Sequence, residues 1–257
     1  MKEHNTKRHV GAARILPFVG AVVMALPTAA SAGGAAAPQV GGGLQGMQIP
    51  ANAWNHLWND VLIDLLVIGV VFGLAAIYML WKYRAKSPDD VGTAPKLSKA
   101  QAIGWILIPA ALFMADDFYL AGNGWVLWNL QRTPPADALE IRLTGNQWYW
   151  EFDYGNGVVV DTRDEGDKGK VVVPVGRGVV MRMTAADVLH SLAIPDFRVK
   201  EDVLPGRKTF LWFVAPKEGE TLFTCTEFCG TNHSQMPGYI KAVSPAEFET
   251  WLKSRSK

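Results

Sequence analysis

Residues 61–80 form an apolar run with one charge, Asp64, near its start. About 20 apolar residues match the thickness of a bilayer's hydrocarbon core when wound as a helix. Inside lipid every backbone N–H and C=O needs an internal partner, so a helix is the form such a run takes. Trp58 and Trp81 stand at its ends, where amphipathic rings favour the membrane interface. A second apolar stretch covers 103–130 and contains Pro109. Between the two lies a short loop carrying Lys82, Arg84, Lys86, Lys96 and Lys99. Basic loops are retained in the cytoplasm. The expectation is a two-pass transmembrane hairpin over 57–132 in a bacterial inner membrane. Both chain ends then face the periplasm, and 133–257 is an exported domain.

The N-terminal segment reads as a targeting signal. Lys2, Lys7, Arg8 and Arg14 form a basic start, 15–26 is mostly apolar, and Ala30-Ser31-Ala32 is an A-x-A cleavage pattern. A signal peptide over 1–32 is expected, with the mature chain starting near Gly33. The apolar run is short for an uncleaved anchor. Gly and Ala dominate the stretch that follows, so 33–56 is expected to be a flexible exported segment. A formal net charge of +1 gives no signal for nucleic acid.

The pattern changes from about Pro134. Val, Ile and Thr gather in short runs separated by Gly, Pro and Asp. The runs 139–144, 157–160, 171–175, 179–184, 209–214, 221–224 and 239–243 read as strands. Many short strands between turn signals predict an all-β sandwich or barrel. Ser244 is placed to cap a short terminal helix through Trp251, with Glu247 completing a capping box.

The chemistry concentrates in one loop of this domain, Cys225-Thr226-Glu227-Phe228-Cys229-Gly230-Thr231-Asn232-His233-Ser234-Gln235-Met236. It holds both cysteines of the chain. His190 is the other histidine of the domain over 133–257. Thiolate, imidazole and thioether together form a soft ligand set that favours copper. A mononuclear blue-copper site uses one cysteine, so this loop has one too many. Two thiolates at i, i+4 can bridge two coppers, each with one imidazole, leaving Met236 and a backbone carbonyl as weak ligands. Two other readings stand beside this one. Paired cysteines of an exported domain form disulfides, and Cys2His2 is a common structural zinc set. Met236 favours copper, which accepts thioether.

The spacing Cys225-x-Glu227-x-Cys229-x3-His233-x2-Met236 resembles the CuA signature of subunit II of the haem-copper cytochrome c oxidases. The likeness extends to Asp187-Val188-Leu189-His190-Ser191, followed by Lys200, Asp202 and Pro205-Gly206-Arg207. Gly145-Asn146-Gln147-Trp148-Tyr149-Trp150 resembles the family's aromatic segment, with Asn146 where histidine is usual. The resemblance implies a membrane-anchored, cupredoxin-like Greek-key β-barrel behind the hairpin. It implies a dinuclear copper centre held by His190, Cys225, Cys229, His233, Met236 and the Glu227 carbonyl. It gives the Glu227 side chain a magnesium or manganese ion shared with subunit I. From spacing alone Glu227 is a solvated loop carboxylate. Asp187 resembles the acid that orients the first histidine. Trp148 stands at the family's electron-entry position, although tryptophan by itself reads as a core aromatic.

The implied function is electron entry to a terminal oxidase. The donor would be a periplasmic cytochrome c or small copper protein, and the acceptor haem in subunit I, where oxygen is reduced. Charges over 133–257 nearly balance, so no strongly acidic face is expected for a basic donor. No Cys-x-x-Cys-His follows the copper loop. A CuA-bearing nitric oxide reductase subunit is an alternative of the same superfamily. A copper-binding or delivery module without redox traffic is another, but it would not need Trp148, Glu227 or two membrane helices. Quinol oxidase subunits lack the copper ligands present here. Asp116 and Asp117 have two readings: carboxylates inside a span, which usually face a bundle interior or polar path, or residues of a re-entrant part after a break at Pro109. The glutamate that the family often carries before the Trp opening the second helix is absent from Gln101-Ala102-Ile103-Gly104-Trp105.

Overall fold

The computed structural model describes residues 49–92, 96–155 and 157–256. The expected signal peptide over 1–32 and most of the exported segment lie outside these residues. Two helices come first, α1 (Pro50–Lys82) and α2 (Lys99–Arg132). Both are long and apolar enough to cross a membrane, with mean hydropathies of 2.6 and 1.5 over an 18-residue stretch of each. Ser98 and Gln101 start α2 with a reciprocal capping box, the side chain of each accepting from the backbone N–H of the other.

Helix α2 runs unbroken through Pro109. The re-entrant reading is therefore corrected: proline removes one backbone bond, and the rest of the helix holds its pitch. Asp116 is half-buried in the seam with α1 and faces Asp64, while Asp117 is exposed. Nearer the helix ends, the Tyr119 hydroxyl donates to Asp60 at 3.2 Å, and His56 Nδ1 lies 3.2 Å from the same carboxylate.

Ten strands follow among the described residues, in two sheets of five. They are β1 (Leu139–Asn146), β2 (Tyr149–Asp153), β3 (Val159–Asp161), β4 (Val171–Pro174), β5 (Gly178–Ala185), β6 (His190–Ile194), β7 (Val199–Val203), β8 (Thr209–Val214), β9 (Gly219–Cys225) and β10 (Gly238–Val243). One sheet has the order β3-β2-β1-β5-β8, the other β4-β10-β9-β6-β7. Pairing is antiparallel except for β1 with β5 and β4 with β10. This is the expected cupredoxin-like β domain, built as two facing sheets.

Period-two alternation makes the core. Ile141 and Leu143 of β1, Trp150 and Phe152 of β2, Met181 and Met183 of β5, Leu192 and Ile194 of β6, and Phe223 of β9 all point inward and are buried. β5 and β8 are apolar on their outer face too. Val180, Trp212 and Val214 there pack with Ile49 and Leu130 from the helix ends. The Trp212 indole N–H donates to the Leu130 carbonyl at 2.9 Å, joining the Thr133 N–H that also donates to it at the end of α2. Arg132 reaches Glu201 at 2.7 Å, and Arg198 sits over the Trp54 ring at 4.6 Å. A terminal helix α3 (Pro245–Arg255) extends past Trp251. Ser244 accepts from the Glu247 N–H at 3.2 Å, and Phe248 and Trp251 cover Val172 and Val243.

Candidate metal centre

The expected ligands come from two stretches that are far apart in sequence, His190 and the segment 225–236. β6 opens on His190, β9 closes on Cys225, and the loop after β9 carries Glu227, Cys229, His233 and Met236. The pairing of β6 with β9, in register at Leu192 with Cys225, brings His190 to the cysteine loop. A short 3-10 turn over His233–Gln235 then folds His233 and Met236 back toward Cys229.

The donor atoms converge. The Cys225 and Cys229 Sγ atoms are 3.9 Å apart, and both are free thiols. His190 Nδ1 lies 3.9 Å from Cys225 Sγ, and His233 Nδ1 lies 3.5 Å from Cys229 Sγ. Met236 Sδ approaches Cys229 Sγ to 3.4 Å, and the Glu227 carbonyl oxygen is 3.3 Å from Cys225 Sγ. His190, Cys225, Cys229 and Met236 are buried, while His233 and Glu227 are half-buried. The donor set is two sulfurs, two imidazole nitrogens, a thioether and a carbonyl, which fits a soft metal with weak axial contacts.

Neighbouring groups fix the orientation of these donors. Asp187 Oδ1 lies 2.9 Å from His190 Nε2, so the ring presents Nδ1 to Cys225. The same carboxylate accepts the backbone N–H groups of Gln147 and Val188, each at 2.6 Å. Burial opposes ionisation of Asp187, but these hydrogen bonds together hold its carboxyl below the usual range. Burial likewise opposes the Cys225 thiolate, yet His190 and nearby backbone groups bring its pKa down to about 6. The Cys229 thiol is pushed up to about 11 by burial and by the charge on Cys225. The pair therefore loses its first proton at Cys225.

Trp148 is half-buried against Gly230, the residue after Cys229. A Cβ on Gly230 would stand 3.2 Å from the indole. Two supporting residues were not evident from sequence. Trp150, wholly buried, sets its ring 5.6 Å from that of His190 and donates its indole N–H to the Met236 carbonyl at 3.1 Å. Gln147 bridges Asp187 and Cys229. Both lie in the 145–150 segment that carries the family resemblance, which gave neither of them a role. The Phe228 side chain, between Glu227 and Cys229, is 76% exposed.

Comparisons with known proteins identify relatives of this chain. The family described as cytochrome c oxidase subunit II, periplasmic domain, matches residues 139–243. Cytochrome c oxidase subunit 2 of Cereibacter sphaeroides is 31% identical over 251 residues, spanning 84% of this chain and 81% of that protein. A probable cytochrome c oxidase subunit 2 of Rickettsia bellii is 35% identical over 219 residues, 79% of each chain. Among solved structures, the periplasmic domain of cytochrome oxidase subunit II of Bradyrhizobium japonicum is 36% identical with a TM-score of 0.44. It covers 48% of this chain and 96% of its own.

Proposed function

The chain belongs to the cytochrome c oxidase subunit II family, and we propose that it is the electron-entry subunit of a terminal haem-copper oxidase. One observation carries this: two thiols 3.9 Å apart, each with its own imidazole nitrogen within 3.9 Å. The proposed ligands are His190, Cys225, Cys229, His233, Met236 and the Glu227 carbonyl, holding two coppers. Copper in this set supplies a one-electron carrier. The chain's own part is to keep the donors still. His190 is locked by Asp187 and braced by Trp150, and Met236 is tied by its carbonyl to the Trp150 indole. A buried, pre-arranged donor set changes little between redox states.

Trp148 is the proposed entry point, since its ring rests beside the Cys229 segment and is half-buried. The donor is a periplasmic cytochrome c or small copper protein of modest charge, and the acceptor is haem in subunit I. The Glu227 carboxylate is proposed to meet a magnesium or manganese ion at that junction, since a hard cation prefers oxygen. The basic loop between α1 and α2 supports a two-pass topology in a bacterial inner membrane with both chain ends in the periplasm.

The test is metal analysis and redox titration of the full chain in detergent after copper loading. Two coppers per chain, a purple oxidised form and uptake of a single electron are expected. One zinc and no copper would end this reading. Oxygen consumption by the assembled complex, with reduced cytochrome c, tests the oxidase assignment.

A further inference from the structure

Gln147 is neither a candidate ligand nor a core residue, yet it touches both halves of the site. Its backbone N–H donates to Asp187 Oδ2 at 2.6 Å. Through its other oxygen, Asp187 holds His190 at 2.9 Å. The Gln147 side chain turns the opposite way, and its Nε2 donates to the Cys229 carbonyl at 2.8 Å. A carbonyl only accepts, so the amide nitrogen is the end that faces it. Cys229 in turn has His233 Nδ1 at 3.5 Å and Met236 Sδ at 3.4 Å from its sulfur.

The fold gives Gln147 a fixed place to do this. It sits in the turn between β1 and β2, directly after Asn146, whose Cα is paired with that of Tyr149. Gly230 leaves room for it. A Cβ there would stand 3.1 Å from Gln147 Nε2, and the backbone at φ +123° is one that side chains rarely adopt. One residue anchored in the first sheet therefore joins the histidine segment of β6 to the cysteine loop after β9.

We infer that Gln147 is a positioning residue that holds the Cys229 loop in register with the Asp187–His190 pair, an inference that rests on the dinuclear copper reading. It acts through Cys229 and Asp187 and touches no reacting atom. The substitution that isolates it is Gln147→Leu, which keeps the bulk near the backbone and the backbone N–H but removes the amide. The full chain is studied in detergent. Copper loading should still reach the parent's stoichiometry. The visible bands, the copper hyperfine pattern and the potential should shift. Copper should pass to a chelator about fivefold faster, the factor one neutral hydrogen bond carries. In the metal-free chain, iodoacetamide should alkylate Cys229 about fivefold faster, with Cys225 unchanged.

A parent chain that takes no copper overturns the copper reading, and the metal-free alkylation rates then judge Gln147 alone. A copper-loaded parent whose Gln147→Leu form matches it in spectrum, potential, release and alkylation overturns the inference and leaves the copper reading standing. If Gln147→Leu does not fold, hydrogen exchange in the reduced parent decides. Slow exchange at the Gln147 side-chain amide supports the strap, and exchange at the free-solvent rate refutes it.

Discussion

Gly238 opens β10 two residues after Met236, where the core meets the metal loop with no room for a side chain. Its Cα pairs in register with Phe223 of β9. A Cβ on Gly238 would stand 2.3, 2.8 and 2.9 Å from three atoms of the Phe223 ring. Ordinary contact begins near 3.4 Å, so ring or backbone must retreat by roughly 1 Å. The ring cannot easily move, being fully buried and set edge-on to Phe152 at 5.4 Å. Overpacking of this kind costs about 1–3 kcal/mol. Replacing glycine also restricts the unfolded chain, which returns about 0.4–1 kcal/mol. Gly238→Ala should therefore destabilise by about 1–2 kcal/mol, lowering Tm by about 2–8 °C for a chain of this size. The assay is tryptophan-fluorescence melting of the full chain in detergent, with and without copper. Part of the displacement should pass along the backbone to Met236, so copper should also leave faster. Trimming the ring supplies the control. In Gly238→Ala with Phe223→Leu, the two effects should fall short of their sum by about 1 kcal/mol, as neighbours in contact do. A single mutant melting with the parent, or strict additivity in the double mutant, would refute the steric reasoning.

Trp148→Gln should slow oxidation of the soluble donor while leaving the copper spectrum unchanged, and undiminished turnover would move electron entry elsewhere. In the metal-free chain, Cys225 should be alkylated before Cys229 at neutral pH. Its rate should rise through about pH 6 and level off, whereas that of Cys229 climbs until about pH 11, which mass spectrometry of labelled peptides can follow. The paired aspartates should behave differently, because Asp116 lies in the seam with α1 and Asp117 faces outward. An outward carboxylate at this depth needs a polar partner, so Asp117→Ala should reduce co-purification of the partner subunits and Asp116→Asn should not; equal yields would sink that distinction.

The membrane helices and the ligands were legible for different reasons. Hydropathy over 61–80 and 103–130 needs no tertiary information, and the helices follow it, extended at both ends. The copper loop was legible because four donors fall within twelve residues of Cys225-to-Met236 sequence. Strands β2, β6 and β7 were not read as strands. β2 is masked by its aromatic run, β6 by the histidine motif it opens with, and β7 by Lys200, Glu201 and Asp202 between its two valines. β7 is a sheet edge, where outward charges are tolerated and pairing with β6 decides the conformation. Pro109 misled in the other direction, since local propensity for a break yields to a long helix with one bond missing. Gln147 and Trp150 were invisible as supports because each acts on a residue more than 35 positions away.

That separation has a mechanical consequence. The helix ends meet the β domain at Val180, Trp212 and Val214, near the start of β5 and the close of β8. The ligands gather where β1, β5 and β9 finish and β6 begins. Ala185, the end of β5, lies five positions beyond Val180, and at about 3.3 Å per step this spans about 16 Å. The intervening layer is the buried core of Ile141, Leu143, Met181, Met183, Leu192 and Phe223. Packed interiors are stiff, so strain at these outer-face contacts reaches the donors through this core, while the Arg132–Glu201 pair offers a second route along β7 to His190 of β6. The side chains that then set donor geometry, Asp187, Gln147 and Trp150, are anchored in the sheets or their turns, and none comes from a helix. The hairpin thus holds the domain at the membrane, while the two sheets determine where the sulfur and nitrogen atoms stand.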